Sequence, residues 1–298
     1  MNLDTEITTE AGREAQYVAA EGRLRNILKD SGPALVAYSG GVDSAYLAWM
    51  THQVQGAAMV AVIADSASLP RRHLREALAF AAQHAIPCEV VTTAELANPD
   101  YARNDGQRCY FCKDALFVRM EQAVAERSGV GCLMYGVNAD DTLDFRPGHR
   151  AATQHGVRAP LLEAGLGKAA IRSLAQRAGL AVWDRPASAC LSSRVAYGLE
   201  VTPEVLARIE AGEEVLYALG FRQFRVRYHA EIVRLEIARE ELPRALTMAM
   251  ADELTRRFKA LDFPYVTLDL EGFRSGAMNE VLLPAAGLVR SLAPGTNG

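Results

Sequence analysis

Through its first half the chain alternates short, wholly apolar runs with longer amphipathic stretches. Runs at 34–38 and 57–64 have the continuous apolar character of buried strands, and 88–92 and 132–137 read as a third and a fourth strand. Between them, 45–50, 72–84 and 113–127 carry helical spacing. Residues 13–29, with Tyr17, Val18, Leu24, Ile27 and Leu28 among charges, predict an amphipathic leading helix that stops near Ser31-Gly32-Pro33. Strands alternating with helices predict an α/β fold, a doubly wound parallel sheet with right-handed crossovers.

The texture changes after a polar stretch at 138–160 and a helical one at 168–178. A helix at 203–219 leads to strands at 221–228 and 232–237, a helix at 241–260 and a strand at 265–270. These strands alternate apolar and polar residues, so each has one covered face. The pattern predicts a second, smaller α+β domain. The expected division is 1–198 for a nucleotide-binding domain that includes a cysteine site, 199–284 for the smaller substrate and oligomerisation domain, and 285–298 for a flexible tail without lasting period.

Composition narrows the class. The 298 residues are 50% hydrophobic and 23% charged, with a formal net charge of -4, which suits a folded soluble protein and advertises no nucleic-acid or membrane partner. No apolar run approaches the roughly 20 residues of a membrane span, and the first ten residues are acidic and polar instead of leader-like. The expected location is the cytoplasm, where five cysteines are not read as a disulfide framework.

The first candidate chemistry is Ser39-Gly40-Gly41-Val42-Asp43-Ser44, set between a strand and a helix. Unpaired amides at a helix start and the positive end of its dipole suit an anion. Gly40 and Gly41 permit close backbone approach, the Ser39 and Ser44 hydroxyls can donate to phosphate, and Asp43 suits Mg²⁺ or an anchor for the loop. The bland alternative is a glycine turn followed by a capped helix. The loop lacks the Gly-Lys-Ser/Thr ending of a Walker motif. It resembles the PP-loop of ATP pyrophosphatases, which implies ATP bound by its pyrophosphate portion, with Asp65 and Ser66 after the second strand near adenosine and Gly136 after the fourth offering backbone contacts.

The cysteines separate into two kinds. Cys88 and Cys132 fall in strands and read as small hydrophobes. Cys109 and Cys112, in Arg-Cys-Tyr-Phe-Cys-Lys, have a spacing that brings two thiolates to one metal or to each other, or is a chance pair on one helical turn. Cys190 lies in a polar, punctuated segment between Arg185 and Arg194, cations that can stabilise a thiolate. If the three meet, they can hold three irons of a [4Fe-4S] cluster and leave the fourth open.

Nearly the whole chain resembles the LarE family of ATP-dependent sulfur transferases. The resemblance rests on residues 39–44, 108–113, Asn138-Ala-Asp-Asp141 with 144–148, 183–187 with Ala189-Cys-Leu-Ser-Ser-Arg194, and 268–274 with 278–280. It implies adenylation of a carboxylate of pyridinium-3,5-biscarboxylic acid mononucleotide, a small nucleotide substrate, and replacement by a thiocarboxylate in nickel-pincer nucleotide synthesis. One branch sacrifices the sulfur of the cysteine matching Cys190; the other binds a [4Fe-4S] cluster through three cysteines. Cys109 and Cys112 point to the cluster branch, with ATP, Mg and the cluster as cofactors. The resemblance also implies a homo-oligomer, Arg194, Arg225 and Arg227 at the substrate phosphate, and Glu213, Glu214 and Glu236 near the sulfur-transfer site. Arg225 and Arg227 share a strand face; for the glutamates a solvated face is the alternative. Val195-Ala-Tyr-Gly198 departs from the family, which more often has proline before the tyrosine.

Two other readings compete. A transfer-RNA thiolation enzyme wants a basic tract for phosphates, which a net charge of -4 does not favour. A non-catalytic nucleotide or iron-sulfur sensor would keep the fold without turnover.

Overall fold

The computed structural model describes residues 9–126, 129, 131–143, 147–186, 189–274 and 277–278. The expected tail at 285–298 and residues 144–146, 187, 279 and 280 of the motifs lie outside them. Four strands, β1 (Ala34–Ala37), β2 (Val60–Asp65), β3 (Cys88–Thr92) and β4 (Cys132–Tyr135), form one parallel sheet in the order β3-β2-β1-β4. Register puts Val36 beside both Ala61 and Met134.

Strands β1, β2 and β4 are covered on both faces, which is why they read as apolar runs, whereas the edge strand β3 carries Glu89 and leaves Val90 exposed. On one face Val36, Ala61, Ile63 and Met134 meet helices α1 (Glu10–Asp30), α2 (Val42–Gln55), α3 (Arg71–Gln83) and, further along the chain, a helix over Lys168–Arg177. On the other, Leu35, Ala37, Val62 and Leu133 meet α4 (Arg108–Ala125) and α5 (Pro147–Gln154). The Lys168–Arg177 helix is α6. Strand order reverses between β1 and β4, so their carboxyl ends open a crevice of the kind in which such sheets bind ligands.

The smaller sheet follows α7 (Pro203–Ala218). Its strands β5 (Phe224–His229), β6 (Ile232–Ile237) and β7 (Tyr265–Leu268) run antiparallel then parallel. The helix expected over 241–260 is two pieces, a turn at Leu242–Ala245 and α8 (Met248–Lys259). Thr247 divides them because its extended backbone lets its hydroxyl cap the Met250 amide. The second core joins Leu206, Val226, Val233 and Phe258 to Tyr101, Leu191 and Val195. Segments near 101 and 191 thus pack with the small sheet although they precede residue 198.

Gly212 is where α7 crosses this core. A methyl there would stand 2.8 Å from Phe258 Cε1 and 3.1 Å from Val226 Cγ1. Overpacking of this kind costs about 1–3 kcal/mol. Gly212→Ala is expected to lower the urea midpoint of unfolding by a corresponding amount; an unchanged midpoint would mean that the helix shifts freely.

Candidate active site

The loop between β1 and α2 has the geometry of an anion cradle. Gly40 takes φ +75°, and a methyl on it would be 2.7 Å from Ala77 Cβ. Gly41 is the N-cap of α2 and offers no side-chain acceptor, which leaves the opening amides of that helix for a ligand. The serines work first within the loop. Ser44 Oγ accepts from the Ser39 amide at 3.1 Å, lies 3.0 Å from Ser39 Oγ and donates to the Gly41 carbonyl at 3.1 Å.

Asp43 is anchored instead of solvated. Its Oδ2 pairs with Lys168 Nζ at 2.5 Å and accepts from Asn138 Nδ2 at 3.3 Å. Its Oδ1 is buried and has no hydrogen-bond partner among the described residues, so this oxygen fits a divalent cation. Lys168 did not stand out in the sequence, because it meets Asp43 from 125 residues away. Its place at the first position of α6 is the only local signal. Asp140 accepts from the Lys168 amide at 2.7 Å and holds that helix start in place. Gly136 closes the site from β4: a methyl on it would lie 2.8 Å from the Ser44 amide nitrogen.

Asp65 ends β2 and pairs with Arg71, which also donates to the Ser66 carbonyl at 2.5 Å. Arg71 therefore fixes the loop expected to meet adenosine. Arg185 goes to the phosphate loop and not to Cys190. It donates to the Gly40 carbonyl at 2.9 Å and pairs with Glu76 at 3.1 Å.

Cys109 and Cys112 lie on the first turn of α4, and Cys190 precedes a short turn at Leu191–Arg194. Cys109 is exposed, and the other two are half-buried. The Cys112 thiol is pushed up to about 12 by burial, then by the neighbouring Cys190 and by Glu95. Cys190 and Cys109 both act electrostatically on the Cys112 thiol, although among the described residues no three potential ligands close into a metal-binding set. Glu95 is buried, and neither of its oxygens has a hydrogen-bond partner among the described residues. A cationic group seated among these thiols would offset both the buried carboxylate and the reluctance of Cys112 to ionise, so the residues fit an iron-sulfur cluster.

Arginines hold the Cys190 segment by its carbonyls. Arg194, 1% exposed, donates to the Ala189 and Cys190 carbonyls at 2.6 and 2.8 Å and pairs with Glu213 at 2.8 Å. Arg108 donates to the Ser192 carbonyl at 2.8 Å. Arg227 donates to the Ser193 carbonyl at 3.0 Å and pairs with the fully buried Glu236 at 2.8 Å, which also binds Arg234. Neither Glu213 nor Glu236 is on a solvated face. Arg225 lies on the same face of β5 as Arg227, and burial followed by the Arg194 charge lowers it to about 10. A cavity of about 330 Å³ between α3, the 184–194 segment and α7 is lined by Arg185, Arg194, Arg225, Glu213 and Glu214.

No family model matches the chain. Over 280 residues it is 34% identical to pyridinium-3,5-bisthiocarboxylic acid mononucleotide synthase of Lactiplantibacillus plantarum, spanning 94% of this chain and 98% of that protein. The chain belongs to the LarE family. It is also 42% identical over 265 residues to an uncharacterised protein of Synechocystis, covering 88% of this chain and 98% of the relative. A Methanocaldococcus jannaschii protein, likewise uncharacterised, is 25% identical over 256 residues, which is 85% of this chain and 96% of the relative. For this LarE family member, the parallel sheet and its crevice agree with the α/β fold expected from the sequence.

Two outcomes follow from this geometry. Gly136→Ala must part the loop from β4, and ATP affinity measured by calorimetry should fall at least about tenfold, or ~1.4 kcal/mol, with helix content unchanged. In metal-free protein, alkylation of Cys112 should climb about tenfold per pH unit from pH 8 to 10, because a thiol at about 12 is still mostly protonated there. A plateau near pH 9 in peptide mass spectra would contradict that placement.

Proposed function

We propose that this chain is an ATP-dependent sulfur transferase that converts a carboxylate of pyridinium-3,5-biscarboxylic acid mononucleotide into a thiocarboxylate, in nickel-pincer nucleotide synthesis. The observation that carries the reading is the shared cleft. Arg185, bonded to the Gly40 carbonyl, and Arg194, bonded to the Cys190 carbonyl, line the same cavity. A nucleotide on the loop and a substrate reaching the cysteines would therefore meet there.

In the proposed reaction a substrate carboxylate oxygen attacks the α-phosphorus of ATP. The bond from that phosphorus to the bridging oxygen breaks, and pyrophosphate leaves. The opening amides of α2 and Lys168 face the charge that gathers on the leaving group, while Asp43 Oδ1 would bind Mg²⁺. A hydrosulfide ion, the co-reactant, then attacks the acyl carbon of the adenylate; the carbon-oxygen bond to AMP breaks, AMP leaves, and the sulfur gives up its proton to solvent to leave the thiocarboxylate. Cys109, Cys112 and Cys190 would hold a [4Fe-4S] cluster, which supplies, when bound, an iron position not ligated by protein.

The small sheet would hold the substrate's phosphate. Arg225, desolvated and beside another cation, gains most from a bound anion. Arg194 and Arg227 back it by fixing the Cys190 segment, with Glu213 and Glu236 as their counter-charges. Assembly as a homo-oligomer belongs to the same reading.

Pyrophosphate release by anaerobically purified protein should require the pyridinium dicarboxylate mononucleotide. Release at the same rate without it would remove the substrate assignment. Cys109→Ala, Cys112→Ala and Cys190→Ala should each abolish the iron-sulfur absorbance of the reconstituted protein. If all three retain it, the thiols do not hold the cluster.

A further inference from the structure

Between the adenosine loop and the cysteine segment lies a closed ring of three hydroxyls. Ser68 Oγ is 2.6 Å from the Tyr101 hydroxyl and 2.7 Å from Ser192 Oγ, and those two are 2.6 Å apart. Ser68, Tyr101 and Ser192 are 2%, 1% and 0% exposed. Three hydroxyls carry three hydrogens, so a ring in which each donates once and accepts once satisfies every proton without water. Such chains of bonds strengthen one another in a buried setting. Burial, and then the nearby sulfurs of Cys190 and Cys112, raises the Tyr101 phenol, so it stays a donor.

Each member belongs to a different part of the site. Ser68 follows Asp65 and Ser66, and the Ser66 hydroxyl accepts from the Ser68 amide at 3.2 Å. Ser192 is two residues from Cys190, and the Leu191 amide between them donates to the Ser68 carbonyl at 2.8 Å. Tyr101 lies in the short helix Pro99–Ala102, just before the buried Asn104. Asn104 adopts the left-handed φ of +59° and donates to the Ala196 and Leu199 carbonyls at 2.8 and 2.9 Å. It also accepts from Arg108, one residue before Cys109. Movement of the Ser66–Ser68 turn therefore cannot leave the Cys190 segment in place unless the ring opens and the Leu191 amide leaves the Ser68 carbonyl.

We propose that Ser68, Tyr101 and Ser192 are positioning residues that transmit occupancy of the nucleotide loop to the Cys190 segment, so that the sulfur-bearing loop is set only when nucleotide is present. The proposal rests on the reading that this crevice binds ATP. It places these residues outside the chemistry, because none of them is required to touch substrate.

Hydrogen exchange on the full-length protein, with and without α,β-methylene-ATP, tests the coupling. In the wild type the nucleotide should slow exchange at 65–70 and, by about fivefold, at 189–195. In Ser68→Ala, which removes both hydroxyl bonds from the Ser66–Ser68 turn, protection at 65–70 should remain and the nucleotide effect at 189–195 should fall below about twofold. A merely structural role would speed exchange at 189–195 equally with and without nucleotide. If Ser68→Ala does not fold, Ser192→Ala removes both hydroxyl bonds from the other side and is read in the same way. Nucleotide protection at 189–195 that survives the substitution overturns the proposal, as does wild-type protection confined to 65–70. A wild type that shows no protection at 65–70, and no binding by calorimetry, removes the ATP reading itself and the coupling with it.

Discussion

The site depends on how closely two strand ends approach where the sheet reverses its order. β1 and β4 are parallel neighbours, yet the chain after β1 enters α2 on one face of the sheet and the next α-helix after β4 is α5 on the other. A side chain at 136 would meet the backbone of Ser44, so only a glycine lets both segments line one crevice. That approach brings Asn138 to Asp43. With Lys168 arriving from α6 and Arg185 on the Gly40 carbonyl, the loop at 39–44 is held by groups from three separate stretches of chain.

Helix α7 is fastened to this crevice by polar contacts at the start of α3. The Arg71 amide donates to Glu210 at 2.5 Å, and the Arg72 guanidinium lies 3.3 Å from the centre of the Tyr217 ring. Both partners belong to α7. A cation over an aromatic face and a carboxylate on a helix-opening amide are modest interactions in water but fix direction well. They set α7, and with it β5, at the distance that leaves the cavity between the two halves open.

The inner strands β1 and β2 were legible because burial on both faces leaves an apolar run. The phosphate loop was legible because its glycines and hydroxyls are contiguous. What could not be read was long-range pairing. Lys168 looks like an ordinary helix opener until the fold carries it to Asp43. Arg185 stands near Cys190 in sequence but turns to the Gly40 carbonyl, and nothing local distinguishes those outcomes. Glu213 and Glu236 read equally well as solvated residues, and only the tertiary fold buries them beside arginines. The hydroxyl ring joins residues more than thirty and ninety positions apart; no periodicity announces it. The break at Thr247 was a local signal of a different sort: a capping residue inside a helical pattern, overridden in the reading by the apolar spacing around it.

The arginines around Cys190 grip main-chain oxygens. The carbonyls of Ala189, Cys190, Ser192 and Ser193 are each held by a guanidinium, and none of those bonds involves the sulfur. Shape and chemistry are thereby carried by different atoms of the same segment. A scaffold of this kind keeps its path when the side chain at 190 is altered or lost, so one backbone can carry more than one sulfur chemistry over evolutionary time.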